Sequence, residues 1–136
     1  MSISIIRLGS PRSAGEGLRL GTVRRPPRGV AKQHWARRDY FDVWYPLLAP
    51  SAALMRATRA ARARPRDAKA WKAFARKYRA EMSAPEAART LDVLAALSRS
   101  ANFCIGCYCE QERSCHRGIL RALLKQRGAK LRKNQP

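Results

Sequence analysis

The sequence predicts a small single α/β domain, residues 1–136, in which a few-stranded, mostly parallel sheet is flanked by helices. Three observations predict it. The chain has 136 residues, 46% of them apolar, enough for one core without staples. Strand-like segments stand near both ends, with helical segments between them. The apolar run at residues 102–109 leads within a few residues into an amphipathic helix. That is a strand–loop–helix unit, and in such folds ligands sit beyond the carboxyl ends of the strands.

The elements follow in order. Residues 2–8 (SISIIRL) read as a strand from their isoleucines. Residues 9–17 (GSPRSAGEG) are a loop rich in Gly and Ser, and residues 18–24 (LRLGTVR) alternate like a second strand. RRPPRG, at 24–29, is an irregular loop, because two prolines cannot donate ladder bonds. Residues 31–50 are mixed, with packed aromatics around Tyr40 to Tyr45. A helix is expected from Ser51 to before Pro65, and Asp67 N-caps the next. There Trp71, Phe74, Tyr78 and Met82 fall on one apolar face, which reads as core. SAPE at 83–86 has the form of a capping box with proline in the first turn, and Leu91, Leu94 and Ala95 turn that helix inward. Ser114 is expected to N-cap the last helix, which buries Ile119, Leu120, Leu123 and Leu124 and stops at Gly128. The basic tail, 129–136, is expected to fray or to add an edge strand.

The net charge is +20, which calls for an anionic partner or at least attraction to polyanions. The basic residues cluster: residues 56–79 hold ten Lys/Arg against one acid, and residues 113–133 eight against none. No apolar run reaches the roughly 18–20 residues of a membrane span. The amino terminus lacks the basic lead-in and small-residue cleavage site of a leader. The expectation is a cytoplasmic protein with no membrane contact and four reduced cysteines.

Cys104, Cys107, Cys109 and Cys115 invite a zinc reading. Side chains alternate along a strand, so Cys107 and Cys109 share a face and Cys104 points away. A four-cysteine cage is therefore not expected. A site from Cys107, Cys109, Cys115 and His116 stays open, but no resident cofactor is expected. Cys115 is read as the first residue of a helix, where free N–H groups and the positive charges of Arg113 and Arg117 favour a thiolate. The same helix start suits a phosphate. Cys115 to Arg121 also matches C-x5-R, but six residues, Glu110 to Cys115, separate the strand end from the helix, which argues against a phosphatase loop.

Four motifs in order, RRPPRG (24–29), W-Y-P-L-L-A-P-S (44–51), W-x2-F-x3-Y-x2-E-M (71–82) and C-Y-C-E-x4-C-H-R (107–117), cover nearly the whole chain. By them the chain resembles domain-of-unknown-function family 488, the YeaO-like proteins. In these relatives the first motif usually reads D-R-W-P-R-G. Here the acid and the tryptophan are missing, so no role for them carries over. The resemblance implies a small α/β domain whose motif loops converge at one end of the sheet. Carried over, the pocket would hold Arg25, Arg28, Trp44, Tyr78 and Glu110, together with Cys115, His116 and Arg117.

Three functional expectations follow. The first is a basic pocket for an anionic small molecule, a phosphate or nucleotide, bound by Arg25, Arg28 and Arg117. If chemistry occurs there, Cys115 is nucleophile or redox centre, His116 the acid/base, and Glu110 orients His116. The second is a nucleic-acid-binding accessory protein using Arg59, Arg62, Arg66 and the basic tail. The third is a metal-stabilised structural protein.

Overall fold

The computed structural model describes residues 1–63 and 67–133. Strands β1 (Ile3–Arg7), β2 (Leu18–Gly21) and β3 (Val43–Trp44) are followed by helices α1 (Ala52–Ala57), α2 (Arg59–Arg62), α3 (Ala68–Met82) and α4 (Pro85–Leu97). Strand β4 (Phe103–Cys107) and helix α5 (His116–Gln126) close the chain. The sheet runs β1-β4-β2-β3 with every pair parallel, so the predicted α/β class holds. No helix of the described residues is long and apolar enough to cross a membrane.

The two faces of the sheet have different covers. Ile3, Ile5, Phe103 and Ile105 alternate onto one face and join Leu54, Phe74, Tyr78, Leu91 and Leu120 in the main core. That burial of apolar area is the principal stabilising term. On the other face Ser4, Cys104 and Arg19 sit in register. Glu16 covers them: it takes Arg19 Nε at 2.9 Å and lies 2.8 Å from Cys104 Sγ. Arg19 is 1% exposed and Glu16 5%. Burial alone would raise the Glu16 carboxyl. Hydrogen bonds from Arg19, Cys104 and Ser13 N–H outweigh it and hold the group down at about 2.

Most expected elements stand where their residues put them, with local corrections. Asp67 caps α3 through Ala70 N–H at 3.0 Å. Gly128 ends α5 with φ of +78°. Ser83 does not open a capping box: it closes α3, donating to Ala80 O, and Ala84 precedes Pro85 at the start of α4. Proline at the first helical position supplies the fixed φ and needs no N–H partner. The helix expected from Ser51 is broken at Thr58 into α1 and α2. Residues 31–50 hold the unforeseen strand β3, whose Val43 and Trp44 pair with Leu20 and Gly21. The tail pairs rather than frays as far as Arg132, with Ile3 N–H donating to Lys130 O and Arg132 N–H to Ile3 O, both 2.8 Å. Residues 134–136, the end of the expected tail, lie outside the described residues.

A candidate basic cleft over a three-cysteine cluster

Because every strand is parallel, the exits of β1, β2 and β4 meet at one edge of the sheet. The exit of β2 becomes Thr22, Val23 and the RRPPRG loop. The exit of β4 becomes Tyr108, Cys109 and a short 3-10 turn, Glu112–Ser114, ahead of α5. Two hydrogen bonds tie these exits together. Tyr108 donates from its hydroxyl to Arg25 O at 3.0 Å, and His116 Nε2 lies 2.6 Å from Thr22 O. Between them opens a cleft of about 750 Å³, within the size range of small-ligand sites. Arg25 and Arg28 stand on one wall and Arg56 and Arg59 on another, Trp71 and Phe74 supply an apolar flank, and Cys107, Cys109, Cys115 and His116 line the cleft beside them.

The sulfurs of Cys107, Cys109 and Cys115 lie within 4.8 Å of one another, with Cys107 and Cys109 3.7 Å apart. All four cysteines are free thiols. The strand expected to reach Cys109 ends at Cys107; Cys109 lies two residues past it with its sulfur still against Cys107, while Cys104 lies across the sheet with Glu16. The three clustered thiols titrate as a unit. Cys109, the exposed member, is held well below the ordinary thiol value, chiefly by hydrogen bonds from Cys107 and Cys115. Cys107 is pushed up to about 11, first by its contact with Cys109. Cys115 is driven up by its contacts with Cys107 and Cys109, and further by burial.

For Cys115, the expected nucleophile, these contacts oppose the thiolate that a helix start would favour. Cys115 is the residue before α5, not its first helical residue, and is 2% exposed. Ser114 does not cap α5, because it belongs to the preceding turn. For His116 the shift runs the other way. Burial pushes it down to about 4 despite its bond to Thr22 O, so it is neutral near pH 7 and is no acid at that pH. A carbonyl can only accept, so Nε2 carries the proton and donates to Thr22 O. The Nδ1 lone pair then faces Cys115 Sγ at 3.8 Å. With both ring nitrogens so placed, Glu110 does not orient His116.

Arg117 does not reach into the cleft as a ligand group. It is 4% exposed and turns back on the loop, donating to Cys107 O (3.2 Å), Cys109 O (2.6 Å) and Glu110 O (3.1 Å). It shapes the loop that carries Cys109. Trp44 is held by its Nε1–H to Val23 O at 2.9 Å and is not among the lining residues. Tyr78 is buried with its hydroxyl on Leu48 O at 2.6 Å, as its place in the apolar stripe foretold. Trp71 and Phe74 of that stripe serve both core and cleft. Arg121 pairs with Glu112 through two hydrogen bonds of 2.7 and 2.8 Å, which agrees with setting aside the C-x5-R match. Of the residues expected on a separate nucleic-acid surface, Arg59 lines the cleft; the Arg62 side chain and Arg66 lie outside the described residues.

Sequence reasoning missed Arg56, and it set Cys109 only in a possible metal set, with no place in the pocket. The signal for Cys109 was present: it follows β4 directly, at the carboxyl end where parallel sheets take ligands. Gly118 lets the loop close over α5, since a Cβ there would stand 2.7 Å from Glu112 O. Gly118→Ala is therefore expected to cost about 1–3 kcal/mol in urea unfolding; an unchanged midpoint would show that the turn does not press on the helix.

A parallel sheet with its motif loops gathered at the carboxyl edge is the arrangement that the four motifs implied. The chain belongs to the domain-of-unknown-function 488 family. More narrowly, the family model DUF488-N3a, described as the active DUF488-N3 subclade, matches residues 3–128. No curated protein and no solved structure matches the chain.

Proposed function

We propose that the cleft binds a phosphate-bearing small molecule such as a nucleotide, and that Cys109 is the reacting group placed against it. The observation that carries this reading is one surface holding Arg25, Arg28, Arg56 and Arg59 together with the exposed Cys109 sulfur. Guanidinium forks suit phosphate oxygens. Trp71 offers an apolar flank for a base or sugar. A thiolate next to a bound electrophile is a nucleophile, with Cys107 and Cys115 as its S–H donors. Neutral His116, its Nδ1 lone pair toward Cys115, would serve the cluster as a base. A reducing, cytoplasmic setting fits the four free thiols.

Arg59 also favours a second reading, in which a single-stranded nucleic acid enters the same cleft. One set of variants separates the two. Arg25→Glu with Arg28→Glu is expected to weaken binding of a fluorescently labelled ATP, followed by anisotropy, by roughly 10- to 100-fold. Lys69→Glu with Lys72→Glu, on the exposed side of α3, is expected to leave it unchanged. Equal loss in both pairs would mean general attraction to charge and would overturn the pocket. An oligonucleotide bound tighter than the labelled ATP, and lost with Arg25 and Arg28, would favour nucleic acid.

A further inference from the structure

We infer that Cys107, Cys109 and Cys115 form a zinc site with one coordination position open to the cleft. The inference goes beyond the proposed ligand, because metal binding needs only the sulfurs.

Geometry carries it first. Zinc holds thiolates at about 2.3 Å in a tetrahedron, which sets neighbouring sulfurs about 3.8 Å apart. Cys107 and Cys109 stand 3.7 Å apart, and all three sulfurs fit within 4.8 Å. Little movement brings them onto one centre. The backbone around them is already held: β4 fixes Cys107, Arg117 grips the carbonyls of Cys107 and Cys109, and Cys115 N–H donates to Glu112 O at 3.0 Å.

Charge carries it second. Arg117 is a buried cation that pairs with no carboxylate among the described residues, and its buried Nε has no hydrogen-bond partner. A buried charge without a counter-charge is costly. Three thiolates around one Zn²⁺ leave a net charge of −1, which balances that guanidinium. His116 completes the surroundings. Its Nε2–H is tied to Thr22 O, so its Nδ1 lone pair faces the cluster beside Cys115. The cysteines line the cleft, so the open position faces the space where the anionic ligand is proposed to sit. Binding displaces the protons of Cys107 and Cys115, so affinity rises with pH. Zinc occupancy and nucleophilic reactivity of Cys109 are then mutually exclusive states of one site.

The test uses the whole reduced chain, stripped with chelator and titrated with Co²⁺ and then Zn²⁺. Expected are one metal per chain, the visible absorption bands of tetrahedral cobalt–thiolate, and their loss when zinc displaces cobalt. Cys109→Ser, at an exposed position, is expected to weaken zinc by more than the roughly 100-fold that changes around a ligand set reach, and Cys115→Ser likewise. Cys104→Ser is expected to bind as the parent does. Circular dichroism on each variant separates lost metal from lost fold. Absence of stoichiometric binding, or binding kept in folded Cys109→Ser, would overturn the site. Neither result touches the labelled-ATP experiment, so the two proposals fail separately.

Discussion

Replacing Arg117 with methionine is expected to destabilise the chain by about 3 kcal/mol and to slow alkylation of Cys109 near pH 7. The guanidinium satisfies three carbonyls of the 107–110 segment. Charged hydrogen bonds contribute roughly 1.5–3 kcal/mol each, though not additively. Methionine fills similar volume but leaves Cys107 O without that donor and removes the cation nearest the thiols. Urea unfolding reads the first effect, and thiol-modification rates read the second. Arg117→Lys keeps the charge without the fork, so it should lose stability while retaining more of the Cys109 reactivity. Arg113→Ala, on an exposed neighbour, is expected to stay within about 0.5 kcal/mol of the parent. Unchanged stability in Arg117→Met would mean that this arginine does not build the loop.

The second large effect belongs to the other face of the sheet. Arg19→Ala is expected to cost roughly 3–5 kcal/mol, because it strands Glu16 as a buried carboxylate. Glu16→Gln with Arg19→Met should cost less than the sum of the single changes. Acid acts on the same pair. Glu16 is lowered from 4.5 to about 2 in the folded chain, so its contribution is present above pH 4.5 and is lost as pH falls through 2. A shift of that size corresponds to about 3 kcal/mol. A Glu16→Gln chain should show a flatter loss of stability between pH 5 and pH 2, and an identical acid limb would contradict the assignment.

Much of this was legible in the sequence because it rests on periodicity. The Trp71–Phe74–Tyr78–Met82 stripe, the cap at Asp67 and the stop at Gly128 are local signals with local causes. Alternation along β4 sets Cys104 and Cys107 on opposite faces. What was not legible depends on tertiary partners. Strand β3 is two residues long and exists because Leu20 and Gly21 offer an edge. Ser83 could cap forward or close backward, and donation to Ala80 O decides it. Arg117 carries a charge that suggested ligand binding, yet three carbonyls of the returning loop hold it. Cys115 sits where a helix start should favour a thiolate, but its contacts with Cys107 and Cys109, and then burial, oppose it; Cys109, the exposed member, is shifted down instead. The motifs RRPPRG and C-Y-C-E-x4-C-H-R were separate in sequence. They meet because all strands run parallel and both follow strand exits.

Cys109, at the edge of an arginine-lined cleft, is the proposed reactive centre. The most direct measurement is alkylation of all four cysteines across pH, read by mass spectrometry on the chelator-stripped chain, with and without ATP. Cys109 is expected to react first, with an apparent pKa well below the ordinary value of about 8.5, and to be protected by ATP while Cys104 stays inert. Preferential modification of Cys115, or four thiols that react slowly and alike, would contradict it.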